Sequence, residues 1–200
     1  MGARFRIWTG TDTFRAEAAT VDLGDDRLSA TGTQLGADPL PYRLDYELET
    51  AAGWVTSRLD VRASGEGWSR RLELRRDADG AWSIDAEATG APDLALPGGE
   101  AHQFAGALDC DLGRSPLTNT MPVRREGLLA GGRREFLMAW VSVPDLRVTG
   151  VRQAYEHVRI EPGAGATIRF RGLDSDFNSV LRFDDEGLIT DYPQLARRVA

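Results

Sequence analysis

Asp109 and Asp111 stand two residues apart near the start of the densest polar stretch of the chain, which runs from Gly106 to Arg125. On an extended strand that spacing turns both side chains to one face, roughly 6.5 to 7 Å apart. Two carboxylates so placed could titrate separately and work as general acid and general base. The structural alternative is that one caps the following turn while the other pairs with Arg114, Arg124 or Arg125. The same stretch sets Ser115, Thr118, Asn119 and Thr120 beside the paired Arg124 and Arg125, around Pro116 and Pro122. Hydroxyls, an amide and guanidinium donors in that density suit recognition of a polar headgroup, although capped turns draw on the same residue types.

Other chemistries find less support. His102, His157 and Cys110 are the soft or borderline metal ligands, and they are scattered with no close histidine or cysteine pairing. No metal site and no cofactor is therefore expected. His102 reads as a loop histidine beside a glycine-rich stretch, and His157 as part of one face of a strand from Val151 to Ile160. There is no G-x-S-x-G elbow and no cysteine beside a base in a recognisable motif. Gly163-Ala164-Gly165 lacks the third glycine and the lysine of a phosphate-binding loop, so it reads as a hairpin connection.

The elements that must position these residues are mainly strands. Tyr42, Leu44, Tyr46 and Leu48 share one face against Arg43, Asp45, Glu47 and Glu49, the period-two pattern of a half-buried strand. Val55, Leu59 and Val61 continue it, then Leu72 and Leu74, and Asp79-Gly80 supplies a hairpin signal before Trp82 and Ile84. Phe136 to Val143 is apolar almost throughout, which predicts a strand covered on both faces. Leu72 to Asp85 is similar to Leu181 to Asp191, as an internal duplication would produce and as short hairpins also produce. Helical signals are few. Ser115-Pro116 predicts an N-cap with proline at the first helical position, Pro122 is expected to stop that helix soon after, and Met121 before it is expected to be extended. Tyr192 to Arg198 predicts a final helical turn, and Gly90 to Gly99 a long loop.

Composition bounds the rest. Two hundred residues, 42 % apolar and 28 % charged with 22 glycines and 9 prolines, suit one all-β, mainly antiparallel domain spanning residues 1–200. The net charge of −7 argues against a nucleic-acid partner and against an anionic membrane surface. The chain has no lysine, so all 24 cations are arginines, with forked and fixed charge. Cys110 is the single cysteine, which leaves no intrachain disulfide. The opening residues lack the apolar run of a secretory signal and no run is long enough for a membrane-spanning segment, so a cytoplasmic location is expected.

At the polar stretch the chain resembles the putative glycolipid-binding family of bacteria. The residues that carry the resemblance are Asp109-Cys110-Asp111-Leu112 and Pro116-Leu117-Thr118-Asn119-Thr120-Met121-Pro122-Val123-Arg124-Arg125. Further matches are Ala139-Trp140-Val141, Pro144-Asp145-Leu146, Gln153-Ala154-Tyr155 and Asp184 to Pro193, with Trp54 before Arg58 to Val61 and Leu72-Glu73-Leu74 before Gly80-Ala81-Trp82 upstream. The similarity covers nearly the whole chain. It departs at Ala107, where the family often has cysteine, and at Ala196, where tryptophan is common. The resemblance implies a curled β-roll, roughly 12–15 strands wrapping a short central helix, akin to carriers that hold lipid tails in a sheet-lined cavity. It supplies no catalytic residues.

Three functions compete on this reading. The first is a lipid or glycolipid binder, with a tail among Trp54, Trp82, Phe136, Trp140 and Phe177 and a head met by Thr118, Asn119, Arg124 and Arg125, near Tyr155. The same aromatics could simply fill a core. The second is an enzyme on a small apolar or sugar-bearing substrate, using Asp109 and Asp111. The third is a structural or interaction protein with a filled core. The oligomeric state has no signature in the sequence.

Overall fold

The structure, a computed structural model, describes residues 2–163 and 165–200, with the Glu161 side chain left aside. Met1 and Ala164, the latter in the predicted Gly163–Gly165 connection, lie outside the described residues. Fourteen strands form one open sheet made of two meanders. The first comprises β1 (Arg4–Gly10), β2 (Arg15–Leu23), β3 (Leu28–Gly36), β4 (Tyr42–Thr50), β5 (Thr56–Gly65), β6 (Trp68–Arg76) and β7 (Trp82–Thr89). The second comprises β8 (Asp109–Leu112), β9 (Arg133–Val141), β10 (Val148–Glu161), β11 (Gly165–Gly172), β12 (Asn178–Phe183), β13 (Ile189–Tyr192) and β14 (Ala196–Arg198). The two meet where β1 pairs with β14, with Trp8 opposite Arg198 and Gly10 opposite Ala196. Every strand pairing is antiparallel except β8 with β9. The two similar hairpin segments fall on β6–β7 and on β12–β13.

The alternation in the sequence is realised in the burial of the strands. On β4 every second residue from Tyr42 to Thr50 is buried, with the charged residues outside. The hairpin at Asp79-Gly80 forms as expected, Gly80 taking a positive φ of 89° between β6 and β7. On β9 only the second half is covered: Arg133 to Glu135 are exposed, and burial begins to deepen at Phe136. The prediction for Tyr192 to Arg198 is corrected. Its last residues form strand β14 rather than a helical turn, because β1 offers them an unpaired edge and the backbone bonds there outweigh local helical preference.

The sheet curls until its two ends approach. The Thr56 amide on β5 donates to the Leu108 carbonyl at 3.0 Å, and the Cys110 amide on β8 donates to Thr56 Oγ1 at 3.0 Å. Trp82 Nε1 and Arg76 Nε both donate to the Ala107 carbonyl at 3.0 Å. Inside the curl lie a 3₁₀ turn, Leu117–Asn119, and the single α-helix among the described residues, α1 (Thr120–Arg125). Leu117 and Met121 pack into a core cluster dominated by the first meander, whereas Val123 belongs to a second cluster with Tyr155, Ile168, Phe170, Leu181 and Phe183. The helix therefore joins two cores.

Two expectations about this helix are corrected. Pro122 does not stop it, and Met121 is helical. Pro122 falls in the first turn of α1, where its missing N–H leaves few intrahelical bonds unmade. The Ser115 hydroxyl does accept from the Leu117 amide at 3.3 Å, so it supports the 3₁₀ turn.

Tight curling brings glycines against rings. Gly32 faces Tyr46, Gly36 faces Tyr42 and Gly65 faces Trp68 as direct cross-strand partners. A Cβ built on any of the three would overlap the opposing ring. Glycine here lets an aromatic lie flat over the neighbouring strand. Gly32→Ala is expected to destabilise by about 1–3 kcal/mol through overpacking. Urea denaturation checks this, and an unchanged midpoint would mean that the Tyr46 ring moves away freely.

Candidate functional site

The short strand β8 and the helix are tied together by a buried ion pair. Arg125 Nη1 and Nη2 donate to the two carboxylate oxygens of Asp109, each at 2.6 Å. Burial pushes the Asp109 carboxyl upward, and the guanidinium opposes that shift. Arg125 also lies over the Phe136 ring, its guanidinium 5.6 Å from the centroid. Asp111 turns into a different set of bonds. It accepts from Thr118 Oγ1 at 2.8 Å and from Gln153 Nε2 at 2.6 Å, and burial raises its pKa. The Tyr155 hydroxyl sits 2.8 Å from Asn119 Oδ1 and 3.1 Å from Gln153 Oε1. Thr118, Asn119, Gln153 and Tyr155 are all buried.

This network forms the floor of a hollow of about 570 Å³ that opens to solvent. Asp111, Asn119 and Gln153 supply polar groups to the floor, and Trp140, Phe170, Phe177 and Tyr192 form an aromatic wall. Asp12, Arg15, Arg114, Ser115, Arg152 and Asp174 also line the hollow. Three of these rings form one cluster: Phe170 lies 5.8 Å from Phe177 and 6.1 Å from Tyr192, centroid to centroid. A broader depression of about 650 Å³ lies elsewhere, over Thr20, Thr31, Thr33 and Asp45 on the outward side of the first meander. Its carboxylates are already engaged: Asp45 accepts from Thr33 and Arg43, and Asp60 from Arg58. The aromatic hollow is the better candidate, because it combines apolar surface with convergent polar groups.

The structure thus separates the residues singled out in the sequence. Asp111, Asn119 and Trp140 line the hollow together. Thr118 and Tyr155 stand behind them, each bonded to a lining residue. Arg125 is engaged by Asp109, and Arg124 stacks over the Trp54 ring at 4.9 Å, so these three residues and Trp54 lie behind the site rather than in it. Asp109 does not line the hollow, so the two aspartates do not converge there as an acid–base pair. Among the described residues, no group of histidine, cysteine, aspartate and glutamate is arranged to hold a metal ion. The Cys110 thiol is buried and pushed up to about 12.

Sequence reasoning missed Arg15, Glu17, Arg114, Phe170 and Tyr192. For the first two a signal existed. Counting back in twos from Leu23 and Val21 along β2 places Glu17 and Arg15 on the buried face. Glu17 is 4 % exposed and accepts from Tyr46 OH at 2.6 Å and from Ser115 Oγ at 2.7 Å, with Gln34 Nε2 at 3.4 Å. No cation pairs with it, so desolvation dominates and raises its pKa to about 7.

Comparison with known proteins bears on this site. The sequence profile of the family described as "Putative glycolipid-binding" matches residues 6–198. The chain is also similar to a crystal structure of a DUF1089 family protein from Pseudomonas aeruginosa, at 31 % identity and a TM-score of 0.70, over 96 % of this chain and 95 % of that one. Comparison with curated proteins returns no match.

The Glu17 carboxyl makes stability depend on pH. Its folded pKa lies above its ordinary value of 4.5, so its contribution is fully present below about pH 4.5 and is lost as pH rises through about 7. Glu17→Gln is expected to be more stable than the parent at pH 8, by about 3 kcal/mol, and to converge with it near pH 4.5. Urea denaturation of both proteins at the two pH values checks this. A constant difference across the range would show that Glu17 stays ionised in the fold.

Proposed function

The chain belongs to the putative glycolipid-binding family, and from that premise we propose that it binds an amphipathic lipid or glycolipid in the hollow between Trp140, Phe177 and Asp111. The observation that carries this reading is the division of the hollow into an aromatic wall and a hydrogen-bonding floor within one volume of about 570 Å³. That size falls within the range of ligand pockets, about 300–1,000 Å³. Each methylene moved from water to the wall contributes about 0.8 kcal/mol. A twelve-carbon tail contributes about 8–10 kcal/mol before association costs. Once those costs are subtracted the tail alone falls short of the about 8 kcal/mol of micromolar affinity, so the polar floor must supply the remainder.

On this reading the floor selects the head. Asp111 Oδ1 and Oδ2 each accept one bond from the protein, and each carboxylate oxygen has a second lone pair for a ligand hydroxyl. Trp140 presents a flat apolar face to a sugar ring or to the first methylenes of a tail. Tyr155 and Thr118 hold Asn119 and Asp111 in place without meeting the ligand. No helix of the described residues is long and apolar enough to cross a membrane.

Dodecyl maltoside, below its micelle threshold, is a direct probe. The parent protein is expected to bind it with micromolar affinity in a calorimetric titration. Trp140→Ala is expected to weaken that binding about tenfold, equivalent to 1.4 kcal/mol, and Asp111→Asn only a few-fold. Native mass spectrometry of protein from its own cell extract adds an independent check, with a co-purifying lipid of defined mass as the expected result. Empty protein together with no titratable binding contradicts the reading.

A further inference from the structure

The lining of the hollow includes two arginines, Arg15 and Arg114, that the proposed lipid reading leaves unexplained. Arg15 is 7 % exposed. Its Nη2 donates to Asp12 Oδ1 at 2.7 Å and to the Leu195 carbonyl at 2.6 Å, while its Nε is buried with no partner. Arg114 occupies the left-handed region at φ 64°, a conformation that non-glycine residues adopt at some strain. Gln194, another non-glycine residue with positive φ (70°), also lines the hollow. Strained backbone of this kind concentrates at ligand sites. Arg15 and Arg114 also share a second, small void of about 10 Å³ with Glu17 and Gln34, which places the two arginines side by side.

Each of the two arginines has one acidic partner. Asp12, which itself lines the hollow, and Asp38 each bond one arginine, and their side chains are 53 % and 61 % exposed. The buried carboxyls nearby are Glu17, raised to about 7, and Asp111, which burial also raises while two accepted hydrogen bonds favour its charged form. Tyr42, whose hydroxyl is buried without a partner, is also pushed up and stays neutral. Arg152, by contrast, is matched: its amide, Nε and Nη2 all donate to the Asp174 carboxylate, at 2.7, 3.0 and 2.7 Å. Two fixed cations thus line the hollow, each paired through a single nitrogen with a carboxylate that is largely exposed.

We propose that Arg15 and Arg114 form an oxyanion subsite of the hollow, so that the molecule bound there carries a phosphate, sulfate or carboxylate group. This rests on the reading of the hollow as a lipid site and names the chemistry of the head. The forked donors of guanidinium match oxyanion geometry, and the Arg15 Nε, buried without a partner, is a donor for such a group.

Calorimetric titration of the full chain with three probes tests this: dodecyl phosphate and dodecyl maltoside, both below their micelle thresholds, and inorganic phosphate. The parent is expected to bind dodecyl phosphate at least tenfold more tightly than dodecyl maltoside. Arg114→Gly removes the guanidinium at a φ that glycine adopts freely, so folding is retained; Arg15→Gln is the second variant, with its fold verified by circular dichroism. Each is expected to lose tenfold or more for dodecyl phosphate and to stay within twofold of the parent for dodecyl maltoside. Arg62→Gln, on the outward face, should change neither. Equal binding of the two amphiphiles with Arg114→Gly unaltered overturns the subsite and leaves the lipid reading standing. Inorganic phosphate that binds as tightly as dodecyl phosphate, and depends on Arg114, supports the subsite but overturns a lipid as its source. Failure of all three probes to bind overturns both.

Discussion

The bidentate pair between Asp109 and Arg125 is the contact on which the rest of the interior depends. Strand β8 has only four residues and pairs along one edge, with β9, so backbone bonds alone hold it weakly. The helix beside it has six residues, far too few to be stable alone. Joining the two through a buried carboxylate and a largely buried guanidinium fixes their relative position. Removal of either partner would strand a buried charge, typically a loss of about 3–5 kcal/mol. With that junction set, Asp111 two residues on is directed at Thr118 and Gln153, and the floor of the hollow follows.

Polar residues inside this protein therefore divide by role. Asp109 and Arg125 satisfy each other and join chain segments. Thr118 and Tyr155 orient groups at the surface of the hollow. Asp111, Asn119, Arg15 and Arg114 line the open volume. Glu17 is a separate case, buried with three neutral donors and no cation. It reaches the hollow only through the Ser115 hydroxyl, which is shared with the 3₁₀ turn.

Much of the fold was legible because a curled antiparallel sheet writes its own pattern. Tyr42 to Leu48 and Leu72 to Leu74 alternate as their strands do, and the glycolipid-binding family resemblance supplied the curl and the central helix. The failures have physical causes. Tyr192 to Arg198 looked helical by local composition, but the edge of β1 recruits its end as a strand. Pro122 looked like a helix stop, yet in a first turn proline is harmless. The site was only half legible. Asp111, Asn119 and Trp140 belong to recognisable motifs, whereas Arg15 and Glu17 are charged residues on the buried phase of β2, where charge argues for the surface and periodicity for the interior. Arg15 meets Leu195 only because β1 and β14 pair across the whole length of the chain, a proximity that no local pattern encodes.

The central claim is that the space between Trp140, Phe177 and Asp111 receives the apolar tail of a ligand. A crystal grown with a dodecanoate brominated at its terminal carbon tests it most directly, because the anomalous signal locates the tail without interpretation of weak density. The account predicts a bromine peak against Trp140, Phe170 or Phe177, inside the hollow. A peak only in the outward depression by Thr31 and Asp45, or side chains that close the hollow with no bromine in it, would contradict the account.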